Sequence, residues 1–234
     1  MTSPKIIFED KDILILDKPS GWITDDAIST KDQKTIQSWL KDNFKFQTSN
    51  LKPYRNGIVH RLDKETSGVL VVAKTKTSFN KLKNMFKERK IQKTYKALVH
   101  GRISPSSGEI TVPVGRLPWR RDRFGVLPGG RSAITSYKVV KYLEKDKKDY
   151  TLVSLVPKTG RTHQIRIHLK YLGYPVVSDT FYAGRKTSRA DRLWCPRLFL
   201  HAGQIAFKHP VKSSNKLTYT SELPSDLKTA LHHL

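Results

Sequence analysis

The chain has 234 residues, 37% of them hydrophobic, with 44 Lys plus Arg against 20 Asp plus Glu and a formal charge of +24. That much apolar content over that length excludes a disordered tail, and the chain suffices for one large domain. The charge excess is far beyond what solubility requires and points to a polyanionic partner, because each neutralised phosphate releases condensed counterions. The single cysteine, Cys195, excludes an internal disulfide and suits a reducing compartment. No apolar run reaches the ~18 residues of a membrane span. The first dozen residues carry acids and lack the apolar core of a secretory signal, so the expectation is a cytoplasmic protein with no membrane contact.

In chain order, residues 13–16 (ILIL) read as a buried strand that ends in the turn Asp-Lys-Pro-Ser-Gly. Residues 34–46 place Ile36, Trp39, Leu40 and Phe44 at helical spacing. Residues 69–73 form an apolar run of strand length. Residues 77–90 read as an amphipathic helix, with Phe79, Leu82 and Phe86 on the buried side and Lys83, Lys87 and Lys90 on another. Residues 92–99, 134–142 and 150–156 have the Tyr, Thr and Val content of strands. Residues 161–172 carry Ile165, Leu169 and Leu172 on one helical face, stopped by Gly173 with Pro175 beyond. A strand is expected over 199–207 and a closing helix over 225–233, with Ser225 as its cap. Strands and helices do not alternate regularly. The expectation is therefore an α+β fold, a mixed, largely antiparallel sheet flanked by helices around a basic cleft, in one domain spanning 1–234.

Two segments read as long loops. Residues 113–133 (PVGRLPWRRDRFGVLPGGRSA) hold five arginines, Arg116, Arg120, Arg121, Arg123 and Arg131, beside Trp119 and Phe124. Residues 178–197 hold Arg185, Lys186, Arg189, Arg192 and Arg197. Arginine interleaved with aromatic rings suits phosphates and stacked bases.

Common catalytic signatures are absent: there is no Gly-rich phosphate loop, no G-x-S-x-G elbow and no C-x-x-C pair. His163 and His168 lie five apart, off a shared helix face, and one cysteine does not complete a zinc site. The expectation is no metal and no cofactor. What remains is a carboxylate, a tyrosine and arginines. Asp63 closes HRLD just ahead of a buried strand, Tyr95 sits in the strand pattern QKTYKALVHG, and Arg166 borders the apolar stripe of GRTHQIRIHL. An arginine partner favours the ionised carboxylate and orients it through its planar fork. By residue type alone, a buried Arg–Asp pair without chemistry is the stronger reading of these residues.

Four blocks in order, GIVHRLDKETSGVLVVAKT, TYKALVHG, GRTHQIRIHLKYLGYPVVSD and RLFLHA, resemble the pseudouridine synthases of the RluA type, over residues 18–210. The resemblance implies an enzyme that isomerises uridine to pseudouridine in structured RNA, ribosomal or transfer, by turning the base out of its stack without a cofactor. It implies Asp63 as nucleophile or as base toward the ribose, Tyr95 stacking on the target base, and Arg166 paired with the aspartate. Arg61 matches the arginine associated with the flipped-out nucleotide, His60 and Lys64 support it, and Leu198 or Leu200 packs beside the base. The RNA grip is assigned to these together with Arg116, Trp119, Arg120, Arg121, Arg123 and Arg161. The sequence departs from the family where WITDDAISTKD follows KPSG and at Ser178, where a glycine is usual. Many relatives carry a small RNA-binding domain ahead of the catalytic one; the strand at Ile13 makes this look like the short kind, a monomer. A non-catalytic RNA-binding or assembly factor on the same scaffold is the competing reading, and a nuclease is a weaker third.

Overall fold

The computed structural model describes residues 2–27, 30, 33–44, 51–212 and 216–234. The chain forms two compact units, Met1–Gln92 with Ala202–Glu222, and Lys93–His201 with Leu223–Leu234.

In the first unit, β1 (Lys5–Glu9) pairs antiparallel with β2 (Ile13–Lys18), and β2 with β3 (Ser67–Ala73). Strand β10 (Leu200–Lys208) follows β3 in the sheet, with β11 (Lys216–Thr220) antiparallel to it. β3 is apolar on both faces and buried throughout, so it reads as a continuous run and not as an alternation. One face packs Ile13, Ile15, Val69, Val71, Ile205 and Phe207 against Phe79 and Leu82 of helix α2 (Lys76–Lys87). Thr75 and Ser78 close a reciprocal capping box at the start of α2. Helix α1 (Ile36–Asn43) is capped by Thr35 and ends inside the expected span, whose residues 45 and 46 lie outside the described residues.

The second unit orders its strands β4 (Gln92–His100), β9 (Lys148–Pro157), β8 (Ile134–Lys145) and β5 (Ser107–Thr111), each pair antiparallel. Helix α3 (Gln164–Tyr171) starts later than its periodicity predicts, because His163 takes a left-handed conformation (φ 54°) that cannot continue a helix. Gly173, at φ 89°, stops it as expected.

Three readings are corrected here. The segment 113–133 is no open loop: β6 (Val114–Leu117) and β7 (Arg120–Val126) form a hairpin whose arginines hide the strand signal. Within 178–197, Arg185–Asp191 is a short helix, α4. Ser225 does not cap the last helix, α5 (Ser225–His232); it is the first helical residue, Pro224 holds the cap position, and no side chain caps it. Among the described residues no helix is long and apolar enough to cross a membrane.

Candidate active site

In the first unit, residues 60–66 lead into β3 without regular structure of their own, and their backbone is held from outside. The buried Thr24 hydroxyl accepts from the Leu62 amide (3.2 Å) and donates to the Leu62 carbonyl (2.9 Å). The Lys64 carbonyl accepts from the Gly21 amide (2.8 Å) and from Lys18 Nζ (3.3 Å). Lys18 is fully buried, and its ammonium also donates to the carbonyls of Pro19 and Trp22 at 3.1 and 2.8 Å. A buried ammonium is tolerated only when its donors are met, and three carbonyls meet them. The Ser20 hydroxyl donates to the Glu65 carbonyl at 2.8 Å. Asp63, half-buried, thus sits between two residues whose backbones are pinned, and its own carbonyl accepts from Thr66 N.

The flanks of this segment are equally constrained. Gly68 has φ 117°, and a Cβ there would lie 2.2 Å from the Ala202 carbonyl oxygen, so the glycine that closes GIVHRLDKETSG is required by strand packing. His60 Nε2 accepts the Val71 amide (2.9 Å), and its ring stacks on Phe86 with centroids 4.8 Å apart. Arg61 is largely exposed, with Nη1 3.7 Å from Asp25 Oδ2, and Asp25 also holds Arg55. Burial and the neighbouring charge of Arg61 push the Arg55 guanidinium below its usual range. Lys64 Nζ donates to Gln33 at 2.8 Å.

In the second unit, Tyr95 lies on β4 opposite Leu155 and is nearly buried. Arg166, on α3, is 4% exposed and makes a bidentate pair with the fully buried Asp179, Nε to Oδ2 and Nη2 to Oδ1, both 2.8 Å. Asp179 Oδ1 also accepts the amides of Phe181 (2.9 Å) and Tyr182 (3.1 Å). The guanidinium carbon lies 5.3 Å from the Phe181 ring and 5.0 Å from that of Tyr182, a range where the ring quadrupole attracts it. The buried Gln164 uses its whole amide: Oε1 accepts from Thr159 Oγ1 and Arg161 N, while Nε2 donates to Ile134 O and Thr135 Oγ1. That ties the turn carrying Arg161 to β8, and Arg161 Nε donates to Ser132 O at 3.0 Å.

The comparisons with known proteins bear on both units. Residues 12–171 match the family model described as RNA pseudouridylate synthase. The chain belongs to the RNA pseudouridylate synthases. Its activity is therefore that of an isomerase that converts uridine in RNA to pseudouridine. It is 36% identical over 234 residues to the ribosomal large subunit pseudouridine synthase D of Buchnera aphidicola subsp. Acyrthosiphon pisum, covering 97% of this chain and 72% of that protein. The solved structure of human RNA pseudouridylate synthase domain containing 1 superposes with a TM-score of 0.75 at 28% identity, over 97% of this chain and 87% of that one. Human RNA pseudouridylate synthase domain containing 4 has the same fold, with a TM-score of 0.72 at 24% identity, over 97% and 92%.

The synthase's arginine-rich hairpin sets two of its guanidinium groups against the chain's own aromatic rings. The Arg116 guanidinium lies 4.7 Å from the Phe124 ring and that of Arg123 4.9 Å from Phe181. Arg123 Nη1 also donates to the Phe181 carbonyl. Trp119 is 71% exposed at the hairpin turn, with Arg120 beside Asp122 at 3.8 Å. The Arg121 side chain lies outside the described residues. Leu198 and Leu200 are both buried. At the departure from the family, Ser178 adopts φ 61°, the region that favours glycine. Its amide donates to Asp191 Oδ2 (2.8 Å) and its hydroxyl to the Cys195 carbonyl (2.6 Å), so the turn is kept despite the side chain.

Sequence reading missed Thr24, Lys18 and Asp179. The first lies in the segment that departs from the family pattern, yet it holds the family's most specific block in place. Lys18 and Asp179 stand inside the quoted turn and block, and only their burial separates them from surface charges. Among the described residues one group has metal-compatible spacing: ligand atoms of Asp10, Asp12 and His209 lie within 4.8 Å of one another. Asp10 there is already engaged by His209, Lys212 and the amides of Asp12 and Ile13, which outweigh the effect of burial and hold its carboxyl well below the usual range.

Proposed function

We propose that this synthase modifies ribosomal RNA of the large subunit, with Asp63 as nucleophile or as base toward the ribose, and that its two units act as one catalytic domain. The pinned backbone of residues 62 to 64 carries this reading: a carboxylate is aimed only if the chain beneath it cannot shift, and Thr24, Gly21 and Lys18 supply that fixity. The family match crosses from the first unit into the second, which supports a shared function. The name carried by the Buchnera relative supports the choice of RNA.

A uridine in structured RNA is inaccessible until its nucleotide leaves the stack, at about a few kcal/mol. Tyr95 receives the base, a stacking contact of ~1–3 kcal/mol. Arg61, exposed beside Asp63, attends the extruded nucleotide, and His60 and Lys64 support it. Arg166 acts as the partner of Asp63 through a guanidinium that Asp179 holds rigid. Leu198 or Leu200 lines the base site, while Arg116, Trp119, Arg120, Arg121, Arg123 and Arg161 grip the RNA without reading sequence. No step needs a metal or redox group, because the C1′–N1 bond is exchanged for C1′–C5 in the same nucleoside. The site of action is the cytoplasm, where ribosomal RNA and a reduced Cys195 coexist, and the working form is a monomer.

The test is single-turnover incubation with large-subunit ribosomal RNA followed by chemical mapping of pseudouridine. Asp63→Asn is expected to leave RNA binding intact and to yield no pseudouridine. A normal rate in that variant would overturn the assignment of Asp63.

A further inference from the structure

One charged face that the proposed site does not use lies on α2. Lys76, Lys83 and Lys87 are all exposed, and at 100° per residue they fall within a stripe about 40° wide. At 1.5 Å rise per residue they stand about 10 Å and about 6 Å apart along the axis. Asn80 and Asn84, also exposed, lie on the same side of the helix. The helix KTSFNKLKNMFK contains no acid, so no i, i+4 carboxylate neutralises the row. Just beyond its end, Glu88 is occupied by Lys90 at 2.6 Å.

Two observations make this more than a solvated face. The helix is rigid, with its capping box closed and with Phe79 and Leu82 buried in the sheet's core. It also touches the HRLD block, since the ring of Phe86 stacks on that of His60, three residues before Asp63. We infer that the Lys76–Lys83–Lys87 row of α2 is a docking track for the phosphate backbone of the RNA that flanks the target uridine. The row supplies point charges and no base contacts, so it adds affinity and register without sequence preference. The partner class rests on the family's RNA substrate, whereas the track itself is independent of which residue performs the chemistry.

The experiment measures binding of a fluorescein-labelled, uridine-containing single-stranded RNA across a salt series. It compares the parent, Lys83→Gln/Lys87→Gln and a charge-matched control, Lys147→Gln/Lys148→Gln, at the exposed β8–β9 turn. Glutamine keeps the helix propensity of lysine, so α2 is retained. The helix variant is expected to bind more weakly and to lower the log–log salt slope by about 1.4, about 0.7 for each of two lost contacts. Its pseudouridine rate at saturating RNA stays at the parent value, while the control binds with nearly the parent slope. Parent-like affinity and slope in the helix variant would overturn the proposal, as would an equal loss in the control, which assigns the effect to overall charge. Asp63→Asn, measured alongside, should bind as the parent does; its failure to bind, or its making pseudouridine, bears on the catalytic reading and leaves the comparison of lysine variants standing.

Discussion

Asp63 and Arg166 are held by opposite means. The carboxylate is short, two rotatable bonds from the main chain, so fixing the backbone on either side of it confines the group to a small volume; that is the work of Thr24, Gly21 and Lys18. The guanidinium stands at the end of four rotatable bonds. A rigid helix would not aim it, and the structure grips its head instead, with Asp179 bidentate on it and the rings of Phe181 and Tyr182 within 5.3 Å of its carbon. Positioning energy is thus spent at the main chain in one unit and at the side-chain tip in the other.

The comparison breaks most sharply at Asp179. Asp179→Ala leaves a buried guanidinium without its partner and is expected to cost ~3–5 kcal/mol of stability, read by denaturant titration. Asp179→Asn keeps the volume and the three contacts of Oδ1, but sets an amide donor against Arg166 Nε, so it should fold while turning over slowly at unchanged RNA affinity. A parent-like turnover in that variant would mean that Arg166 is aimed without Asp179. The main-chain half is tested by Thr24→Val, which keeps the shape and removes both hydroxyl bonds to Leu62. The expected cost is ~1–3 kcal/mol, with a larger fractional loss in pseudouridine formation than in RNA binding. Equal small losses in both would show that the backbone near Asp63 is held well enough by Gly21 and Lys18.

A further contrast sets a fully buried lysine against a half-buried one. Lys18 has three carbonyl acceptors, whereas burial alone pushes the ammonium of Lys93 down to about 8. Between pH 8 and its ordinary value of 10.5 the unfolded chain holds a proton that the folded chain has released, so this residue makes stability rise with pH across that window. Lys93→Met should remove that rise and leave the protein slightly more stable at neutral pH. A stability curve of unchanged shape above pH 8 would refute the assignment.

Much of the fold was legible because it rests on periodicity. The apolar runs of β2 and β3 and the stripes of α2 and α3 mark their own boundaries to within a few residues. The β6–β7 hairpin was not legible, since its strands carry arginines where an alternating apolar face would announce them. β1, β5 and β11 were missed for a related reason: each is five residues long and mostly exposed. At the candidate site, the residues proposed to meet the reaction stand in dense motifs, whereas those that hold them do not. Thr24 is an ordinary threonine in an irregular stretch until the main chain of Leu62 is brought to its hydroxyl.

One hydrogen bond in the HRLD block has a chemical consequence. The imidazole of His60 spends its Nε2 lone pair on the Val71 amide, inside the sheet. A proton arriving at that nitrogen would have to evict a strand donor, so the residue is barred from shuttling protons through it. The block therefore spends its histidine as a brace: one ring nitrogen is committed to the strand that the Asp63 segment leads into, and that edge of the ring is closed to any ligand.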